Sequence, residues 1–266
     1  RIDQFLGPRT IMLMAGKDPG PPDMAVTTLT LADADAIKEK VPDLESITPI
    51  SWSFSLHLKS DAGKETRSMM WGVTETWHAS TSWKTVAGDG ITGEDVAGLS
   101  RVCLIGQTIR KELFDGIDPV GQRLYLNKVA VNVKGVLEAR GASPLGQDFD
   151  RMVVVPLPTA MRRILNVEHV GAVRLISRDA GRLLAQVGQV SALMRERHRI
   201  TPPADDDFHL NTSAVIAGQA SKMSQAMVLF LVALAAISLV VGGFVLANIM
   251  LLSVAERTRE IGLRRA

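Results

Sequence analysis

The 266-residue chain holds a single cysteine, Cys103. A lone thiol excludes an internal disulfide and any metal cluster built on several cysteines. Set in the apolar run VCLIG, Cys103 reads as a buried strand residue, the usual place of a free cysteine. A chain without disulfides fits the cytosol but does not exclude a bacterial periplasm. An excess of one charge is also missing. Thirty Lys and Arg against 28 Asp and Glu leave +2, which is no basis for gripping nucleic acid. Catalytic motifs are missing too. The nearest stretch to a GxxxxGK[ST] phosphate loop, DAGKET (61–66), lacks both the spacing and the final Ser/Thr. The five histidines (57, 78, 169, 198 and 209) form no HExxH and no His–Cys pair at ligand spacing. No GxSxG elbow occurs. Asp205 to Asp207 lack the alternating ligands of a calcium loop and read as a solvated turn. Trp52, Trp71, Trp77 and Trp83 read as strand or core residues rather than a stacking platform. No catalytic, cofactor or metal site is expected.

What the chain does have is one long oily run. Between Lys222 and Glu256 lie 33 uncharged positions, and from Ala226 to Ala255 only Ser238, Asn248 and Ser253 carry hydrogen-bonding side chains. About 20 apolar residues suffice to cross the hydrocarbon core of a bilayer, so this run spans it with length to spare. A core helix of a soluble protein is usually shorter and amphipathic. Arg257, Arg259, Arg264 and Arg265 follow directly, whereas residues 1–221 hold 25 basic and 26 acidic residues. The positive-inside bias therefore predicts residues 256–266 in the cytoplasm and everything up to about 225 outside. Ser238 with Gly242, and Gly243 with Ala247, are small pairs at i, i+4, a spacing that lets a second helix approach in lipid. Asn248 would be costly facing lipid, which makes it a further packing candidate. No proline follows Pro203, so nothing forces a kink in this helix. The chain starts at Arg1 with no leader visible and is expected to be a piece of a longer protein.

Residues 1–221 alternate strand and helix signals. TIMLMAG (10–16) reads as a strand, and KDPGPPD (17–23) as a loop rich in breakers. Thr30 with Asp33 forms a capping-box signature opening a helix through Lys40. In ESITPISWSFSLHLK (45–59), Trp52, Phe54, Leu56 and Leu58 alternate as the apolar side of a long strand, with RSMMWGVTETW (67–77) beside it. GQTIRKELFDG (106–116) predicts a short helix closed by Gly116. QRLYLNKVAVNVKGVLEAR (122–140) predicts a hairpin turning at Asn127-Lys128. RMVVVPL (151–157) predicts a strand, then a short helix over 158–165 and the strand GAVRLIS. From the N-cap Asp179, Leu183, Leu184, Val187, Val190, Leu193 and Met194 follow helical spacing. Arg195, Arg197 and Arg199 suit that helix's C-terminal dipole. DFHLNT gives the last strand. The pattern predicts an α+β body with a strand–helix–strand subdomain built from both ends of residues 1–213 and interrupted by a β-rich lobe, followed by one long transmembrane helix.

The segment NIMLLSVAERTREIGLRRA resembles the hallmark of MacB/FtsX-type ABC transporter permeases. Upstream, LTLADADAI, IGQTIRKELFDGIDPVGQRL, VKGVLEARG, VVVPLPTAMRRI and LMRERHRI…DDDFHL fall in the order of that family's periplasmic core domain. Residues 17–30 and 78–90 match least. The resemblance implies a porter-like subdomain at 1–82 and 161–213, an inserted sabre-like lobe at 83–160, a stalk and transmembrane helix at 214–258, and the start of a cytoplasmic coupling segment at 259–266. It implies one membrane helix before Arg1 and two after Ala266. Glu256, Arg257, Arg259, Glu260, Gly262 and Arg264 would then face an ABC ATPase, fused or separate, which would carry the ATP and Mg. A second permease copy, in a homodimer or heterodimer, a periplasmic adaptor and an outer-membrane channel would complete the assembly in a bacterial inner membrane. The implied function is export driven by transmitted motion. The alternatives are lipoprotein release, FtsX-like control of cell-wall hydrolases, or a membrane-anchored sensor or scaffold without ATPase.

Overall fold

The computed structural model describes residues 7–16, 28–142, 148–201 and 203–265, with side chains of the last helix described at 215 and 224–251. The chain divides into two units, Arg1–Ala214 and Val215–Ala266.

In the first unit, β1 (Thr10–Ala15) lies between β10 (Phe208–Thr212) and β9 (Ala172–Ser177), and β9 pairs in turn with β2 (Leu44–Ser60); all three pairings are antiparallel. The first and last strands of the body therefore share one sheet, as the sequence pattern predicts. One face of this sheet presents Ile11, Leu13, Val173 and Leu175. Ala34 and Ile37 of α1 (Leu31–Lys40) and Val190, Leu193 and Met194 of α6 (Leu183–His198) pack with them in one core. Each fully buried Leu, Ile or Val there contributes roughly 1.5–3 kcal/mol.

β2 does not end with that sheet. From Ser51 onward it pairs with β3 (Glu65–Val73), and at Leu58–Ser60 with β6 (Arg123–Leu126). A second group of strands follows in the order β3, β8 (Met152–Pro156), β5 (Val102–Ile105), β7 (Val129–Leu137) and β4 (Thr85–Gly88). α4 (Gln107–Phe114) lays Ile109, Leu113 and Phe114 on this lobe's core of Leu56, Leu58, Met70, Val133 and Val153. Leu56, Leu58 and Met70 of β2 and β3 thus pack with this lobe's core. At Gly72 the following helical segment, α5 (Leu157–Thr159) continued as a π-turn to Leu165, comes very close. A Cβ at Gly72 would lie 2.3 Å from that of Ala160. A third cluster joins Trp77 of the short helix α2 (Trp77–Thr81) to Ile50, Trp83, Leu137, Phe149 and Val154.

Most local expectations hold. The 122–140 hairpin turns at Asn127, whose φ of 55° suits asparagine. α4 closes through left-handed Asp115 and Gly116 (φ 41° and 86°). Cys103 is fully buried in β5, and burial alone pushes its thiol far up. The loop expected at 17–23 lies outside the described residues.

Two expectations fail and a third holds only in part. Phe54 is 38 % exposed while Leu56 and Leu58 are buried, because a register shift between Ser53 and Leu56 breaks the strict alternation of β2. Leu184 is 82 % exposed, and Gln186 is buried in its stead. Gln186 donates to the carbonyls of Pro42 and Asp43 (3.1 and 3.2 Å), a polar demand that tilts the inward face of α6 away from Leu184. The acidic triplet is the solvent-reached turn expected, with Asp205 exposed, but it is also paired. Asp206 receives a two-pronged bond from Arg195 (2.8 and 2.7 Å), and Asp207 Oδ1 lies 2.7 Å from His198 Nδ1.

The second unit is helical. α7 (Ser213–Arg265) runs 53 residues without a break.

Candidate functional site

Within α7, Ser224–Leu251 form a 28-residue span with a mean hydropathy of 2.8. At 1.5 Å per residue it is about 42 Å long, enough for the hydrocarbon core and part of both headgroup layers. None of it is buried inside the protein: Leu229, Leu239 and Phe244 are all more than two-thirds exposed. A core helix of a soluble fold hides such residues, so an all-round apolar, uncovered helix of this length fits lipid. Ser238 satisfies its hydroxyl inside the helix by donating to the Leu234 carbonyl at 2.9 Å, as a polar side chain in lipid must.

The helix-packing residues read from the sequence are not covered by any described part of this chain. Ser238, Gly242, Gly243, Ala247 and Asn248 all stand exposed on α7. Nor do they share one face. At about 100° per residue, the pair Ser238 and Gly242 lies roughly 140° around the helix from the pair Gly243 and Ala247, and Asn248 lies on a third side. One partner helix therefore cannot meet Gly242 and Ala247 at once. A Cβ added at Gly242 or Gly243 would meet nothing within 4 Å, so both positions leave room for neighbours, each toward a different one. The coupling candidates follow on the same helix. The side chains of Glu256, Arg257, Arg259, Glu260 and Arg264, and whatever surrounds Gly262, lie outside what is described. The backbone still places Glu256, Glu260 and Arg264 along one line at i, i+4 spacing.

A second constellation, not singled out in the sequence, ties α1 to the end of α6. Thr30 donates both its N–H and its hydroxyl to Asp33 Oδ2 (2.9 and 2.8 Å), and Arg197 Nε donates to Oδ1 at 2.7 Å. His198 Nε2 stands 3.5 Å from the same carboxylate, and its other nitrogen reaches Asp207. Burial pushes the Asp33 carboxyl up, but the bonds from Arg197 and Thr30 outweigh it and hold the group below its usual value. The pieces are visible in the sequence as a capping box, an arginine run and an acidic triplet. Their convergence needs the tertiary fold.

The DAGKET stretch is not a phosphate loop. Asp61–Lys64 form the tight turn of the β2–β3 hairpin, where Gly63 N–H bonds the Ser60 carbonyl at 2.9 Å. A phosphate cradle instead opens a helix after a strand. Lys64, the residue such a loop would aim at phosphate, pairs with Asp115 at 3.0 Å. Among the described residues no three His, Cys, Asp or Glu side chains gather as a metal site.

Two sheets spliced by β2, with both ends of the body in one of them, ahead of a long uncovered apolar helix, match known proteins. Residues 2–190 match the family described as MacB-like periplasmic core domain. The chain belongs to that family. The macrolide export ATP-binding/permease protein MacB of Azoarcus sp. is 34 % identical over 269 residues, covering 100 % of this chain and 40 % of its own length. The pyoverdine export ATP-binding/permease protein PvdT of Pseudomonas putida is 34 % identical over 240 residues, covering 90 % of this chain and 36 % of its own. The chain thus spans about two-fifths of the length of these relatives. The crystal structure of the periplasmic region of MacB from Actinobacillus actinomycetemcomitans superposes with a TM-score of 0.67 at 21 % identity, covering 81 % of this chain and 94 % of that one. The extracellular domain of the ABC-type transporter YknZ from Gram-positive bacteria gives 0.61 at 16 % identity, covering 76 % and 100 %. At these identities the structures speak for the fold alone. The MacB-like body and its following helix are the permease-side region of relatives that also bind ATP by name.

Proposed function

We propose that this MacB-like domain and its helix are the permease part of an ABC export system, passing motion driven by ATP hydrolysis in the cytoplasm to the periplasmic body. One observation carries this reading: similarity to an ATP-binding/permease protein runs over the whole chain, through the span and into its basic end. Relatives named for macrolide and for pyoverdine export stand at the same 34 % identity, so the shared property is export, and that is what we assign. The division into a porter-like and a sabre-like part, the inner-membrane orientation with residues 256–266 inside, a second permease copy, an adaptor and an outer-membrane channel belong to the same proposal. Charge supports the orientation: four arginines follow the span and Lys222 alone stands just before it. In this reading ATP and Mg belong to the ATPase, fused or separate.

The test is purification of the full-length protein from native membranes, identification of what comes with it, and ATP-dependent export from cells and reconstituted vesicles. Recovery of an ATPase and an adaptor, with export lost when α7 is disrupted, is the expected result. A full-length protein with neither its own nor an associated ATPase would return the chain to the sensor or scaffold reading.

A further inference from the structure

The face of the first sheet turned away from α1 and α6 carries an arginine where packed strands ordinarily carry apolar residues. Arg174, in β9, is 6 % exposed. Its neighbours Val173 and Leu175 belong to the core on the other face, so Arg174 points the opposite way. It makes neither a hydrogen bond nor an ion pair to any described residue, and its Nε is buried without a partner. Burial, and then the charge of Arg140, bring its pKa down to about 10, so it is a cation at neutral pH. A buried guanidinium without a counter-charge is an expensive arrangement.

Its surroundings repeat the theme. Thr48 stands directly opposite Arg174 across the β2–β9 ladder, and its hydroxyl lies 2.9 Å from that of Thr76. Next to Thr76 comes Trp77, fully buried, whose indole Nε1 also has no partner among the described residues. The Trp77 ring is 5.7 Å from that of Trp83, and the guanidinium of Arg140 sits 4.4 Å over Trp83 while donating to the Thr81 carbonyl at 2.8 Å. Arg140 closes the circuit through its charge on Arg174. Among the described residues, Glu138 is the carboxylate whose charge reaches Arg140, and none reaches Arg174. Ser46, two residues from Thr48 on the same side of β2, holds a third orphaned polar atom.

The inventory is two cations, two unpaired N–H donors and a hydroxyl. Water would satisfy the donors but not the charge. A guanidinium matches a carboxylate or phosphate group in plane and reach. We propose that Arg174, Arg140 and Trp77 line a site for a small oxyanion, the carboxylate or phosphate group of a soluble molecule, between the first sheet and the segment carrying Thr76 and Trp77. The near-complete burial of Arg174 restricts the bound group to a few atoms. An occupant there bridges β9 to the cluster that also contains Trp83, Phe149 and Val154, so it ties one sheet to the other lobe.

The test uses the full-length protein in neutral detergent at fixed ionic strength, replacing chloride stepwise with inorganic phosphate or with acetate. Tryptophan emission and thermal unfolding are the readouts, and the two salts tell a phosphate site from a carboxylate site. The wild type should give a saturable change in both readouts with at least one of the salts. Arg174→Gln and Arg140→Gln should each weaken half-saturation at least tenfold, and Trp77→Phe, which keeps an aromatic ring and removes the donor, several-fold. No saturable response beyond that of chloride, or the same half-saturation in Arg174→Gln, would overturn the site and leave its donors to buried water. Should Arg174→Gln fail to fold, unchanged affinity in Arg140→Gln overturns it equally.

Discussion

Asp33→Ala removes the acceptor on which Thr30 and Arg197 converge, and its cost can be worked from the geometry. The Asp33 side chain is 5 % exposed and that of Arg197 34 %. Losing the reciprocal bond at the start of α1 costs about 1 kcal/mol, the usual figure for a cap. Stranding one partner of a buried ion pair costs about 3–5 kcal/mol, whereas exposed pairs are worth roughly 1 at most. Arg197 can turn its head to water, so about 2 kcal/mol is the fitting value between those limits. The total of about 3 kcal/mol corresponds to a fall of roughly 6–12 °C in the unfolding temperature of a body of this size. The assay is thermal unfolding of the full-length protein, read by near-UV circular dichroism. Arg197→Met alone should cost less, and the double variant less than the sum of the two. Additive effects, or a fall under about 2 °C in Asp33→Ala, would show that the pair holds nothing together.

The same carboxylate fixes a pH dependence. A group whose folded pKa lies below its unfolded value, near 3.9 for aspartate, contributes stability that is present above the unfolded value and lost as pH falls through the folded one. Asp33 is shifted in that direction. The stability gap between wild type and Asp33→Asn should therefore stay level from pH 7 to about 5 and close below about 4. A gap that widens in acid would refute the assignment of the clamp to an ionised Asp33.

Three further outcomes test the membrane reading. On a Cys103→Ser background in intact cells, an impermeant thiol reagent should label Gln219→Cys and spare Arg264→Cys; the reverse pattern would invert the topology. Val232→Pro removes a backbone bond in the middle of the span, costs about 3 kcal/mol or more and should uncouple transport from ATP hydrolysis at normal expression; full activity would rule out rigid transmission along α7. Glu260→Lys strengthens the positive-inside signal, so insertion should survive while coupling falls. A pair with Arg264 is worth only ~0.2–0.5 kcal/mol on an exposed helix, and unchanged coupling would reduce the basic end to a topology anchor.

Local chemistry makes much of this fold legible. Asn127 announces the hairpin it turns. Thr30–Asp33 announces α1, and Asp179, whose carboxylate accepts from Gly181 N–H at 2.8 Å, announces the turn that leads into α6. The same Thr-x-x-Asp signature at Thr92 and Asp95 caps α3 (Gly93–Ala97). That helix is only five residues long, too short for any periodicity to support the cap. What local patterns cannot supply is anything decided by a distant partner. Leu184 loses its place to Gln186 because two carbonyls beyond α1 require a donor. Asp207 looks like solvated acid until the chain turns back after α6 and brings it to His198. Arg174 reads as one polar letter in the strand AVRLIS, and only the lobe packed over the sheet turns it into a buried cation. The small residues of α7 show the same limit from the other side. Ser238, Gly242, Gly243 and Ala247 are legible as places where a helix could approach, but no described residue covers them.

The mechanical reading places its weight on β2. A strand of 17 residues reaches about 56 Å when extended, far beyond what either group of strands needs by itself. Its first part is hydrogen-bonded to β9 up to Ile50, and its second to β3 from Ser51, so one unbroken backbone belongs to both lobes. Two domains joined by a flexible linker would lose a displacement in the joint. A shared strand loses none, because moving one lobe against the other means breaking ladder bonds or bending the strand. The place best able to bend is the register shift between Ser53 and Leu56, where a bulge has already loosened the pairing. The first sheet ends on β10 at Thr212, and α7 begins at the next residue. In the proposed transmission, motion entering the body at β10 crosses β1 and β9 by hydrogen bonds and enters β2, whose far half pairs with β3 and, at Leu58–Ser60, with β6. Under the proposed transmission, the residues that matter are the ones that keep this route stiff.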